Sequence, residues 1–250
     1  MLIDAGIKRF FKFADIFELS YFKMERLLHI QERLEQLGAE FCISIAELAE
    51  RASQWSGFLW DWDGVFNTGY KTKEQGSGFN EADSMGINML RFGYWLKNGK
   101  MPFIAIITGE ENPTAIHFAQ REHFNAICLK FSHKTEALEI LEKKYLLDSQ
   151  RIAFVFDDVL DVALAQKVSG RFLVKRNSAP FFVEYAKKHE ICDYITASQS
   201  GEGAIREICE LILSIADSYD KTISERIAYS SSYQKYLSER NALETIILKK

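Results

Sequence analysis

The chain has 250 residues, 47% of them hydrophobic and 26% charged, a balance that lets a chain bury its own core without covalent staples. With 35 acidic against 31 basic residues, a formal charge of -4 and no basic run, it lacks the positive stripe with which nucleic-acid binders neutralise phosphates. Charges interrupt every early apolar run before it forms a signal-peptide core, and no run approaches the ~18–20 apolar residues that span a bilayer, so a cytoplasmic protein with no membrane partner is expected. Cys42, Cys128, Cys192 and Cys209 form no Cys-x-x-Cys pair, and buried thiols in a reducing compartment are expected in place of a disulfide framework or zinc site.

Residues 1–55 read as a helical extension rich in Phe, Leu, Glu and Arg. Phe10, Phe11, Phe13, Phe17, Tyr21 and Phe22 recur at loosely helical spacing, which predicts packing against the domain or a neighbouring subunit. Ser44-Ile45-Ala46-Glu47 predicts a capping box, in which the two polar side chains satisfy each other's end amides. Across residues 56–213 short apolar runs alternate with amphipathic stretches. The predicted strands are Phe58–Trp62, Phe103–Thr108, Ala126–Leu129, Ile152–Phe156 and Phe172–Val174, and the predicted helices Met85–Lys97, Pro113–His123, Lys134–Tyr145 and Asp161–Lys167. Continuous apolar strands separated by helices imply an α/β, Rossmann-like parallel sheet covered on both faces. Residues 214–250 read as a second helical extension.

In such a sheet, ligands sit beyond the carboxyl ends of the strands. There the first strand runs into Asp61-Trp62-Asp63-Gly64, placing two carboxylates two residues apart before a glycine turn. The second ends in Thr108-Gly109, a hydroxyl and a small backbone amide; Lys134 opens the helix after the third; the fourth ends in Asp157-Asp158, with Asp161 close behind. Crowded carboxylates repel one another unless a cation is present, and an oxygen-only ligand set selects a hard ion, Mg²⁺ above all. A carboxylate, Mg²⁺, a hydroxyl and a Lys are also what a transferring phosphoryl group needs: a nucleophile in line and positive charge on its oxygens.

In this order the motifs resemble those of the haloacid dehalogenase-like phosphatase superfamily. Asp61-Trp62-Asp63-Gly64-Val65-Phe66-Asn67-Thr68-Gly69, Phe79-Asn80 with Asp83-Ser84-Met85-Gly86-Ile87, and Gly201-Glu202-Gly203-Ala204-Ile205-Arg206-Glu207 are similar to the branch that hydrolyses 3-deoxy-octulosonate 8-phosphate and nonulosonate 9-phosphates. The resemblance implies that Asp61 is the nucleophile and a metal ligand. Asp63 would be the general acid and base, touching the metal through its carbonyl; Thr108 and Lys134 would hold the phosphoryl oxygens. Asp157 would complete the metal site, with Asp158 and Asp161 as support or as partners of Lys134. It also implies no large cap domain, and a tetramer in which a hairpin after the first motif helps close a neighbour's site; here that segment, Tyr70–Gly78, is short and Gly-rich.

Where octulosonate enzymes carry Arg-Asp-Gly and Thr-Gly-Arg, this chain has Ala82-Asp83-Ser84 and Thr108-Gly109-Glu110, forms closer to the nonulosonate enzymes; Phe156 and Ser200 replace glycines of the pattern. Gly109, Glu110, Asp83, Ser84 and Arg206 are accordingly expected around the substrate, with Arg121, about three helical turns beyond Glu110, meeting a sugar carboxylate. The expected function is Mg²⁺-dependent hydrolysis of an acidic sugar phosphate. Another small phosphate ester, or a silent scaffold on the same fold, stays open.

Overall fold

The computed structural model describes residues 21–72 and 76–250, so Phe10, Phe11, Phe13 and Phe17 lie outside the described residues. One eight-stranded sheet organises the chain. Its strands are β1 (Glu40–Phe41), β2 (Gly57–Trp60), β3 (Phe103–Ile107), β4 (Ala126–Leu129), β5 (Ile152–Phe156), β6 (Gly170–Lys175), β7 (Tyr194–Gln199) and β8 (Ile246–Lys249), in the order β1-β7-β6-β5-β2-β3-β4-β8. Among the described strands only β1 runs antiparallel, against β7; β8 runs parallel to β4 at the opposite edge.

The apolar composition of β2, β3 and β5 follows from burial on both sides. Along each strand successive side chains alternate between two cores. Phe58, Trp60, Ile104, Ile106 and Val155 pack on one face, and Leu59, Ala105, Ile107, Phe154 and Phe156 on the other. The first face is covered by α1 (residues 21–36, through Leu27), α2 (Ile45–Ala52), α3 (Glu81–Asn98), α4 (Pro113–Arg121) and α8 (Ala204–Ile215). The second is covered by α5 (Lys134–Tyr145), α6 (Val162–Ala165) and α7 (Pro180–Lys188). Two more helices, α9 (Tyr219–Ile227) and α10 (Ser231–Asn241), follow, and α10 seats Tyr233 and Tyr236 against Phe92 and Trp95 of α3.

Local chemistry sets the helix ends. Asn80 caps α3 by accepting from Ala82 N (2.8 Å), and Gly99 ends it in the left-handed conformation. Ser44 Oγ accepts from Glu47 N (3.2 Å) as expected, but the Glu47 carboxylate turns to Arg51 instead of back to the cap.

The two extensions differ from expectation in part. Residues 21–36 are helical, yet β1 follows them, and the second extension ends in β8; each adds a strand to a sheet edge that would otherwise leave backbone groups unpaired. Tyr21 and Phe22 are more than half exposed, so the other described residues do not cover them. Among the described residues no helix is long and apolar enough to cross a membrane.

Gly86 lets α3 pack closely on the backbone of α8: a Cβ there would lie 2.9 Å from Arg206 Cα, a backbone atom that cannot turn aside. Gly86→Val should therefore lower stability by about 2–3 kcal/mol, the cost of overpacking a fixed contact. Denaturant unfolding checks this, and an unchanged midpoint would mean that the two helices part freely.

Candidate active site

β2, β3 and β5 end side by side, and the loops that leave them line a cavity of about 420 Å³. Asp61, Asp63, Thr108, Gly109, Glu110, Lys134, Asp157, Asp158 and Asp161 all border it. Asp61 N continues the ladder to Val155 O (2.9 Å), so its carboxylate leaves the sheet at a fixed height. Lys134, the first residue of α5, forms ion pairs with both Asp61 and Asp161 deep in the cavity floor. Thr108 N is held by Cys128 O (2.9 Å) and Thr108 O by Phe131 N (3.2 Å), which fixes the hydroxyl beside them.

Asp61, Asp157 and Asp161 bring one carboxylate oxygen each within 4.8 Å of one another, all buried. Burial pushes Asp61 up to about 6 despite the Lys134 ammonium, and the neighbouring Asp157 adds to the rise. Burial likewise takes Asp157 to about 6 and Asp161 to about 7. For Lys134, burial alone would favour the neutral amine, but the two carboxylates beside it prevail and its pKa is raised.

The cluster fits a divalent ion on two grounds. Its donors are all hard oxygens. The turn after Asp63 also makes room: Gly64 has φ +87°, and a Cβ on it would sit 2.0 Å from Asp157 Oδ2. Asp61, Asp157 and Asp161 are thus the residues that could hold such an ion.

Asp63 stands apart from that cluster. Its Oδ1 accepts from Ser77 Oγ (2.6 Å) and its Oδ2 pairs with Lys71 Nζ (2.7 Å). Ser77, almost fully buried, also accepts from Trp62 Nε1 (2.9 Å) and from Asn112 Nδ2, so it ties the first motif to the start of α4. A bridge between Thr72 and Gly76 closes the base of the short expected hairpin, whose residues 73–75 lie outside the described residues.

Other expected site residues do not reach the cavity. Arg121 spans Glu81 (2.6 Å), Glu122 (2.8 Å) and Ser84 Oγ (2.9 Å) and lies over the Phe79 ring, because these acids and rings surround it on the outer side of α3 and α4. Asp83 is buried and accepts from Arg206 N (2.9 Å), so it caps α8 instead of facing a substrate. Ser84 donates to Glu122 Oε1 (3.0 Å), and Arg206 pairs with Glu210 (2.6 Å). These residues hold α3, α4 and α8 together. Asp158 does border the cavity, but its side chain is 52% exposed and caps the next turn by accepting from Val159 N (2.7 Å). The late motif is structural too: Glu207 accepts from Ala197 N and Ser198 N (both 2.8 Å), and Ser200 Oγ donates to Asn67 O.

Sequence reasoning missed Arg176 and Lys71. Arg176 follows β6 and reaches Asp157 Oδ2 (2.5 Å); its guanidinium also lies near Gly69, where a Cβ would be 3.5 Å from Nη2. The strand-end rule already applied to β2, β3 and β5 would have found it. Lys71, two residues past Gly69, had no such signal.

No family model matches the chain. Over 96 residues, 38% of this chain, it is 29% identical to the 3-deoxy-D-manno-octulosonate 8-phosphate phosphatase KdsC of Escherichia coli K12; the match spans 47%, about half, of that relative. Solved structures match more widely. A putative subfamily III A hydrolase of the haloacid dehalogenase superfamily from Legionella pneumophila aligns with TM-score 0.62 and 26% identity, over 74% of this chain and 96% of the other. A probable phosphatase from Pseudomonas syringae aligns at 0.61 and 28%, over 73% and 98%. The octulosonate 8-phosphate phosphatase of Moraxella catarrhalis, solved with magnesium, phosphate and KDO, aligns at 0.59 and 26%, over 72% and 98%.

The raised carboxylates give a pH test. A group whose pKa is higher folded than unfolded stabilises the fold below its unfolded pKa, and that contribution is lost as pH rises through the folded value, here about 6 to 7. A divalent ion needs the ionised oxygens and reverses the loss. The rise in Tm on adding Mg²⁺ should be small near about pH 5 and grow to a plateau above about pH 7.5, worth about 2–3 kcal/mol at a hundredfold excess over Kd. A rise that is the same at every pH would contradict this metal site.

Proposed function

We propose that this chain, a protein of the haloacid dehalogenase superfamily resembling its octulosonate 8-phosphate phosphatase branch, hydrolyses the phosphate monoester of an acidic sugar through Asp61 and depends on Mg²⁺. The observation that carries the proposal is the placement of Asp61. It is buried at the end of a central strand, paired with Lys134, beside Asp157 and across one cavity from Thr108.

Asp61 attacks phosphorus in line, and the ester bond breaks as the sugar oxygen takes a proton from Asp63. Ser77 holds Asp63 in the orientation this requires. Lys134 and the Thr108 hydroxyl bind the phosphoryl oxygens as charge moves onto them. Water then attacks the phosphoryl group on Asp61 while Asp63 takes its proton, and inorganic phosphate leaves. When bound, Mg²⁺ at Asp61, Asp157 and Asp161 supplies the positive charge that lets a carboxylate approach an anionic ester.

With Arg121 turned away, the cations that border the cavity besides Lys134, among the described residues, are Arg176 and Lys71; Arg176 is paired with Asp157 and Lys71 with Asp63, and each keeps further N–H groups for a sugar carboxylate. Glu110, also on the wall, suits the hydroxyls of a polyhydroxylated tail and repels a second acid close to the phosphate. This arrangement favours a nonulosonate 9-phosphate, whose carboxylate lies farther from the phosphate, over octulosonate 8-phosphate.

A panel of sugar phosphates tests the reading by phosphate release with Mg²⁺ or EDTA. Release should require Mg²⁺ and favour carboxylate-bearing sugars, with nonulosonate 9-phosphate leading. Arg176→Gln should lower kcat/KM for these acids about tenfold more than for neutral sugar phosphates, the worth of one charge-assisted hydrogen bond. No release from any ester would leave a silent scaffold, and equal rates on neutral sugars would shift the substrate to a simpler ester.

A further inference from the structure

At the sheet edge formed by β1, two thiols meet outside the cavity. Cys42 Sγ lies 3.7 Å from Cys192 Sγ, a van der Waals contact between residues 150 positions apart. The backbone already holds them in place: Phe41 pairs with Tyr194, and Cys42 N donates to Asp193 O (2.9 Å). A disulfide requires about 2.05 Å, so the sulfurs need approach by only about 1.7 Å, within reach of side-chain rotation and a small shift of a two-residue edge strand.

We propose that Cys42 and Cys192 are a thiol-oxidation site, closed into a reversible intramolecular disulfide by low-molecular-weight disulfides. The site is built asymmetrically. Cys42 is partly exposed, while Cys192 is 1% exposed inside the second core. The hydrogen bond from Cys192 lowers the Cys42 pKa against the rise that burial brings, and the Lys187 ammonium lowers it further against the opposing carboxylates of Glu40 and Asp193. Lys187 is anchored next to it by Glu40, and Asp193 is neutralised by Arg51 and Arg171. Cys42 is therefore the thiolate that meets the oxidant, and Cys192 the thiol that resolves it.

The exchange balances. The Cys42 thiolate attacks one sulfur of the small disulfide, whose S–S bond breaks and releases one thiolate. Cys192 then loses its proton to that thiolate and attacks Cys42 Sγ, expelling the second small thiolate, which takes a proton from water. Two protein thiols are oxidised and one small disulfide is reduced to two thiols. The product fastens β1, and with it the chain leaving the helix at residues 21–36, to β7. Cys128 and Cys209, both 0% exposed, stand outside the reaction.

The test uses the full chain incubated with oxidised glutathione at neutral pH, then alkylated and mapped by mass spectrometry. The expected products are a peptide pair joined through Cys42 and Cys192, loss of those two alkylatable thiols, and a Tm about 5–10 °C higher that dithiothreitol reverses. Oxidised Cys42→Ser should show neither the joined peptides nor the rise. The proposal is overturned if Cys42 stops as a glutathione mixed disulfide, if both thiols stay alkylatable, or if the joined peptides involve Cys128 or Cys209.

Discussion

Carboxylates brought together out of water repel one another, and the fold has to supply something between them. Lys134 supplies it, with its ammonium paired to Asp61 and Asp161 and its side chain only 6% exposed. On the far side Arg176 does the same for Asp157. The arrangement still leaves Asp61, Asp157 and Asp161 raised above ordinary aspartates, so the cluster is short of positive charge. Under the proposed function, that shortfall gives the site its affinity for a divalent ion and keeps the nucleophilic oxygen in a dry place.

The rest of the structure serves to hold these groups at a common height. Buried parallel strands end together, and their registers place Trp60, Ile106 and Val155 side by side immediately before the loops that line the cavity. Gly64 lets the chain turn without striking Asp157, and Ser77 steers Asp63 away from the acidic cluster. Helices α3, α4 and α8 brace this edge: Arg121 reaches from α4 to Glu81 of α3, Ser84 donates to Glu122, and Asp83 of α3 accepts from Arg206 N of α8.

The central fold and the heart of the site could be read from residue order because their signals are local. Apolar runs such as Ile152–Phe156 have few alternatives to a buried strand, and Asp61, Thr108, Lys134 and Asp157 each follow such a run or open the next helix. β1, β7 and β8 were not recognised: β1 has two residues, β7 carries Thr, Ser and Gln, and β8 reads as the end of a helix. Such strands are defined by pairing partners far along the chain. Arg121 and Arg206 failed as pocket residues for a related reason. Arg121 fitted a pocket by its spacing and Arg206 by its place in the late glycine motif, but nearby acids, Glu81 and Glu210, decide where a guanidinium points.

Everything here turns on Asp61 as the group that takes the phosphoryl. The direct measurement is rapid acid quenching of the protein during turnover of a sugar phosphate with Mg²⁺, followed by mass spectrometry of its peptides. The account predicts one hydroxylamine-labile phosphoryl group on the peptide carrying Asp61, absent in Asp61→Asn, whose turnover falls by more than about 10³-fold. A phosphoryl group on another residue, or turnover that survives in Asp61→Asn, would contradict it.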